Sequence, residues 1–476
     1  VKAALRRGLA LVVLGVLFAA TPLGAAAPVD PRTLTFPPLT YDIPSPERFV
    51  LDNGMTVLLM TDRALPLIQI TAYVGVGAVY EPADKCGLAE LTGAMIRRGG
   101  FAGKTPEALD AELEFMASEV ESAIGDDLGT VSLRTLRKNF EATLGLFAGV
   151  MRSPAFDALR FDQTVKEALE TLRRQNDDPQ ELADRELLRA IYRGHPLGRT
   201  PTPATLRAIG REDLAAFHRR YYRPNNVLLA VSGDIDRAEL EDRLRSAFDG
   251  WEPAPVDFPT VPWPDMTLRP AMLYVKKELA QSVIRMGHLG ITKDNPDLYA
   301  LRVMDFILGG GGLNSRLMGE IRANQGLAYN VSGYFEIGRR FPGPFLAETE
   351  TKAASTGRAI ALMLDIMDGI TKVPVTEAEL TLAKESIVNA FIFAFANAER
   401  VVTQRARIVY YGYPERYLED YRANIAKVTR ADVLRVARRY LHPDKLIKVV
   451  VGDAARFDRP LSAFGEVREI RPDAWN

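Results

Sequence analysis

One spacing recurs through this chain and limits what it can fold into. Arg211-Glu-Asp-Leu is followed by Arg219-Arg-Tyr-Tyr-Arg-Pro and then by an apolar run ending Val231-Ser-Gly-Asp. Near the end, Arg430-Ala-Asp-Val is followed by Arg438-Arg-Tyr-Leu-His-Pro and a run ending Val451-Gly-Asp. Asp213 and Asp432, Tyr221 and Tyr440, Pro224 and Pro443, and Gly233 and Gly452 each stand 219 residues apart. A constant offset through a helix, a turn and a strand marks a tandem duplication. The 476 residues therefore divide into two similar domains, 48–250 and 271–476. The connector 251–270 carries Pro253, Pro255, Pro259, Pro262, Pro264 and Pro270, which make it stiff and extended. In each half, strand patterns cluster at the two ends and helical patterns fill the middle. That order predicts an α+β fold, with helices on one face of a mainly antiparallel sheet.

The first residues carry an address. Lys2, Arg6 and Arg7 precede an apolar run from Leu9 to Ala20, and then the small residues Gly24 to Ala27. This order reads as a secretory signal peptide over 1–27 or, kept in place, as an N-terminal anchor. Val1 in place of Met suggests a bacterial alternative start codon, and with it a periplasmic destination. No other stretch reaches membrane length. A Pro-rich lead-in follows over 28–47. Lys plus Arg is 60 against 61 for Asp plus Glu, so no basic excess exists for binding nucleic acid. Cys86 is the single cysteine and reads as a buried free thiol.

Local signals place the motifs. Asn53-Gly54 between two apolar runs predicts a hairpin, and Leu67 to Val79 a second strand. Asn295-Pro296 predicts a helix start, with an apolar face of Leu298, Leu301, Met304 and Leu308. Gly309, Gly310, Gly311 and Gly312 then break the helix, which restarts from Arg316 to Asn324. No Lys-Ser/Thr follows these glycines, so they do not form a phosphate loop.

Two segments carry a family likeness. The stretch from Gly75-Val-Gly-Ala-Val-Tyr-Glu-Pro to Gly87-Leu-Ala-Glu-Leu-Thr-Gly-Ala resembles the opening strand and helix of the insulinase/pitrilysin peptidases, which include the mitochondrial processing peptidases. Leu308-Gly-Gly-Gly-Gly-Leu-Asn-Ser-Arg, with Arg322 and Tyr329 after it, resembles that family's second-half signature. The likeness runs from about Phe49 to the C-terminus. In active members, an H-x-x-E-H motif follows Gly-Leu-Ala; two His bind zinc from one helix face and the Glu activates water. The corresponding residues here are Glu90, Gly93 and Ala94. Glu170 falls where the third ligand would be, and Gln163 replaces a further acid. Gly93 cannot act as a base and Ala94 has no donor atom, so too few ligands remain for zinc. Glu90 and Glu170 read as solvated or paired acids rather than as a site for another cation. His195, His218, His288 and His442 have no ligand spacing between them and read as structural.

The resemblance implies a role for what is left. Arg322 and Tyr329 match the pair that grips substrate carbonyls and supports the oxyanion across a clamshell. Alone, Arg322 would read as an ion-pair partner and Tyr329 as a half-buried strand residue; beside the glycine loop, substrate binding is favoured. The chain is expected to be a non-catalytic subunit of a heterodimeric zinc metallopeptidase. Zinc would come from a paralogous partner bearing H-x-x-E-H, and peptides would be the substrate. The alternative is an inert scaffold derived from the same family.

Overall fold

The computed structural model describes residues 42–472. The signal-like segment and most of the Pro-rich lead-in lie outside the described residues. The first sheet consists of β1 (Glu47–Val50), β2 (Thr56–Thr61), β3 (Leu67–Val74), β4 (Glu119–Ile124), β5 (Gly129–Leu136) and β6 (Val227–Gly233). Their order across the sheet is β1-β2-β6-β3-β5-β4. The second sheet consists of β7 (Ala271–Lys276), β8 (Gln281–Leu289), β9 (Ala328–Phe335), β10 (Pro344–Lys352), β11 (Ile447–Gly452) and β12 (Val467–Glu469). Its order is β12-β7-β11-β8-β10-β9. In each half the last long strand, β6 or β11, is inserted at the centre. Val227-Leu-Leu-Ala-Val and Ile447-Lys-Val-Val-Val are buried throughout, as a strand covered on both faces requires.

Both sheets are mixed. β6 runs parallel to β2, and β11 and β12 run parallel to β7, while the remaining pairs are antiparallel. The duplication fails at the outer strand. β1 arrives from the N-terminal side as a hairpin partner of β2, whereas β12 arrives from the C-terminal end. The hairpin loop at Asn53-Gly54 places Gly54 at φ +86°, in the left-handed region. β3 ends at Val74, short of Val79. Beyond it the amides of Ala78 and Val79 donate to the Gly125 and Asp126 carbonyls in the β4–β5 turn. Gly77 permits that departure, because a Cβ there would lie 2.2 Å from the Asp126 oxygen.

Helices pack on each sheet as the sequence leads one to expect, and the other face is covered as well, by a helix from the opposite half. Helix Pro179–Ile191 places Leu182, Ala183, Leu187 and Ile191 against Leu273, Val275, Val283 and Val449 of the second sheet. Helix Ala398–Tyr411 places Val402 and Ala406 against Leu58, Tyr73, Leu228 and Ala230 of the first. The exchange follows the repeat: Ala183, Leu187 and Ile191 correspond to Val402, Ala406 and Tyr410 at the same 219-residue spacing. The two N-caps, Asp178 and Asn397, also stand 219 apart. Tyrosines at the helix ends tie the exchange down. Tyr192 donates to the Pro342 carbonyl at 2.8 Å, and Tyr410 to the Asp127 carbonyl at 2.9 Å. Residues 251–270 between the halves form neither helix nor strand.

Candidate functional site

In the first half, the helix Leu88–Arg98 carries the degenerate motif. Its N-terminus is capped by a residue that motif reading overlooked. The buried Glu81 carboxylate accepts from the amides of Gly87 (3.0 Å) and Ala89 (2.9 Å). Burial raises the Glu81 carboxyl, and these two N–H bonds partly offset it. Glu90 faces solvent and Ala94 is half-buried. Gly93 is enclosed: a Cβ on it would lie 2.3 Å from the Ile124 nitrogen and 2.8 Å from the Ala123 carbonyl carbon, both in β4. The strand is stitched to the helix. Ser122 Oγ donates to the Gly93 carbonyl at 2.6 Å and accepts from the Arg97 amide at 3.0 Å, while Arg97 Nε donates to the Val120 carbonyl. There is no room for a glutamate where the family's general base stands. Glu170 is paired with Arg173 (3.2 Å) and Arg174 (2.6 Å) of its own helix, Ala158–Arg174. Among the described residues, no three His, Cys, Asp or Glu side chains converge to hold a metal ion. These positions do not fit zinc.

The histidines are built into the packing. His218 Nε2 lies 2.9 Å from the Met151 carbonyl, and burial pushes its pKa down to about 4. His288, also held near 4 by burial, accepts from the His442 amide at 3.3 Å. That pairing spans 154 residues and has no local signature. His195 Nδ1 accepts from the Leu197 amide, and its ring lies edge-on to Phe341. The Cys86 thiol is buried and pushed up to about 12, by burial first and by Glu81 next, so it is inert.

The second half keeps its pair together. The Arg322 guanidinium carbon lies 4.5 Å from the centroid of the Tyr329 ring. Tyr329, on the edge strand β9, is 82% exposed. The helix before the glycines runs from Leu298 to Asp305, with Asp297 at its N-cap. Asn295 acts one step earlier, its side chain accepting from the Asp297 amide. A wider, π-type turn over Phe306–Gly310 follows, and a second over Met318–Asn324, so the restarted segment is helical but wound more loosely than an α-helix. Gly309 lies against β9, where a Cβ would come within 2.2 Å of the Gly333 nitrogen. Gly310 and Gly312 face solvent and Gly311 is half-buried. Arg316 and Glu379 form a two-pronged pair (2.7 and 3.0 Å) that fastens the end of this loop to the helix Glu377–Phe391. Arg316 first, then the Thr376 amide, holds the Glu379 carboxyl down at about 2.

Beneath the loop lies a cavity of about 560 Å³, and Asp305 sits in its wall. Sequence reading passed over this residue. Its signal was an acid on the apolar stripe, four residues after Leu301 and three before Leu308.

The model of the insulinase peptidases, family M16, matches residues 56–202, and that of the M16 inactive domain matches 208–387. Together these span well over half of the chain. The chain belongs to the insulinase (M16) peptidase family. An uncharacterized zinc protease of Mycobacterium leprae is 25% identical over 413 residues, covering 83% of this M16 chain and 89% of that one. An uncharacterized zinc protease of Mycobacterium bovis is 24% identical over 417 residues, 83% of this chain and 91% of that one. The crystal structure of an M16 inactive domain from Pseudomonas fluorescens superposes with a TM-score of 0.78 at 27% identity, over 86% of this chain and 98% of that one. The periplasmic protease PqqL from Escherichia coli shares the fold at TM-score 0.71 and 15% identity; the match covers 94% of this chain and 50% of that one.

Proposed function

We propose that this chain is the non-catalytic, substrate-binding subunit of a two-chain M16 zinc peptidase acting in the periplasm. The partner would be a paralogue that carries H-x-x-E-H and supplies the zinc. The observation that carries this reading is the contrast between the two halves. β4 backbone lies where a side chain at the general-base position would go in the first half, while in the second the half-buried Arg322 stays stacked on an exposed Tyr329. An exposed ring held under a guanidinium presents one hydroxyl and a fork of N–H donors to a passing peptide. Carbonyl oxygens and a developing oxyanion are what such donors stabilise. The signal-like N-terminus supports export, and the fold shared with a periplasmic protease is consistent with it.

The test is reconstitution. The chain is mixed with the zinc-bearing paralogue, assembly is followed by light scattering, and peptide cleavage is measured. A 1:1 complex should form with an interface on the order of 2,000 Å² or more. Tyr329→Phe should leave assembly intact and lower kcat by about ten- to a thousandfold. Arg322→Ala should also raise KM, since it would hold substrate in the ground state as well. Wild-type turnover in the Tyr329→Phe complex would refute the clamp role.

A further inference from the structure

Tyr329 is exposed against the alternation of its own strand. Along β9, Val331 and Phe335 join the core on the helix side of the sheet, and Gly333 between them is buried. A strand turns alternate side chains to opposite faces, so Tyr329, two residues before Val331, belongs by parity on that core face. Ala328 fills the core position instead, and Tyr329 is turned out. The pairing with β10 shows where parity is broken. Thr349 lies opposite Val331, but Thr351 lies opposite Ala328. Tyr329 and Asn330 therefore share one partner residue, Glu350, and form a β-bulge. Both of the bulged side chains are exposed.

Two buried hydroxyls hold this irregularity. Thr349 Oγ1 donates to the Asn330 carbonyl at 2.8 Å, and Thr351 Oγ1 donates to the Leu327 carbonyl at 2.7 Å. The two threonines are 3% and 1% exposed, and they flank Glu350 in β10. Their bonds therefore close on the chain on either side of Tyr329. A buried hydroxyl bond is costly to leave unmade, so each fixes the backbone that it reaches. Without such fixed points a bulge can slide along its strand, and a slide of one residue exchanges which side chain faces out. Bulges recur beside active sites, where they re-aim a side chain. The ring aimed here is the one beneath the Arg322 guanidinium, whose carbon lies 4.5 Å from its centroid.

We infer that Thr349 and Thr351 are positioning residues: their hydroxyls pin the Tyr329–Asn330 bulge, and the bulge presents the Tyr329 hydroxyl to solvent beneath Arg322. The consequence for turnover rests on the substrate-binding reading of that pair. The pinning itself is a property of this chain alone, so the two can be tested apart.

The experiment has two arms. In the first, the whole chain carries a fluorinated tyrosine at position 329, and its fluorine NMR signal is recorded without partner. Thr349→Val keeps the side chain's shape and its strand preference, so it should fold, which a thermal melt checks. Lacking the hydroxyl, it should shift the signal or split it into more than one line. Thr349→Ser keeps the hydroxyl and should restore the wild-type signal. Thr351→Val is the second variant and should act as Thr349→Val does. In the second arm, the variants are reconstituted with the zinc-bearing paralogue and peptide cleavage is measured. Thr349→Val should lower kcat by about tenfold or more and leave KM unchanged, since the Tyr329 hydroxyl is read as acting in the transition state. In a Tyr329→Phe background it should lower kcat no further, as expected of residues that act as one unit. An unmoved signal in the folded variants, or the same loss on top of Tyr329→Phe, overturns the positioning role. A signal that moves while cleavage stays at the wild-type rate leaves the pinned bulge standing and sinks the substrate-binding reading of Tyr329.

Discussion

Single positions decide what each half can do. At Gly93 the obstacle to catalysis is steric as well as chemical. Restoring the motif by Glu90→His, Gly93→Glu and Ala94→His would supply ligands on paper, but the new side chain would run into the β4 backbone at Ile124. Backbone held by Ser122 and Arg97 cannot move aside cheaply. Gly93→Ala alone should cost roughly 1–3 kcal/mol in denaturant melts. The triple variant should melt earlier still and show no stoichiometric zinc by elemental analysis; one tightly held zinc at wild-type stability would disprove the closed site. Asp305 makes a second prediction at this scale. Its folded carboxyl titrates near 8 and its unfolded one near the usual 4, so between these values the folded state binds more protons. Stability should therefore fall as pH rises from about 4 to about 8 and then level off. Asp305→Asn removes that slope, and its advantage in Tm should be larger at pH 8 than at pH 5; the same difference at both would refute the assignment. The loss of the zinc motif was legible in the sequence, because it is a matter of residue type. The closure by β4 was not, because it depends on a strand whose helix contacts leave no mark on Glu119–Ile124.

At the scale of elements, the glycine loop is held at one end by packing and at the other by charge. Gly309 lies on Gly333, and Arg316 grips Glu379 in the first turn of the helix Glu377–Phe391, where Thr376 and Glu379 also form a capping box. Glu379's carboxyl sits below its unfolded value, so its contribution is full above about pH 4.5 and is lost as pH falls toward 2. The pair is about a quarter exposed on each side, and solvent screening keeps its energy modest. Arg316→Met should therefore leave global stability nearly unchanged while loosening the anchor. Amide exchange in the first turn of Glu377–Phe391 should accelerate by about fivefold, and unchanged protection would show that the loop needs no tether. Helix starts and the glycine break were legible here, since capping and apolar spacing are local. The π-type turns were not. The first, over Phe306–Gly310, lets Gly309 meet β9 while Leu308 stays in the core, a demand set by tertiary packing.

At the scale of the whole molecule, the duplication was legible from four residue pairs, but the exchange between its halves was not. The pattern Ala183, Leu187, Ile191 announces a helix with one apolar face; nothing in it says which sheet that face will meet. Two equivalent domains could each have kept their own helix. Here each sheet instead has its outer face closed by the other half, through Leu187 (1% exposed) on one side and Ala406 (0%) on the other. The halves should then unfold as one unit, since neither can open without uncovering its partner's apolar face. Leu187→Asp tests this directly. The residue belongs by sequence to the first half but packs against Leu273, Val283 and Val449 of the second. A buried unpaired carboxylate replacing a leucine should cost roughly 3–5 kcal/mol. Calorimetry should show a single transition moved to lower temperature, and amide exchange should quicken in β8 and β11 as much as in the helix itself. The Ala406→Asp counterpart should do the same to β2 and β6, because the exchange is reciprocal. Two separate transitions, with Leu187→Asp shifting only the one that belongs to 48–250, would show that the halves fold independently and that the exchanged helices are surface decoration.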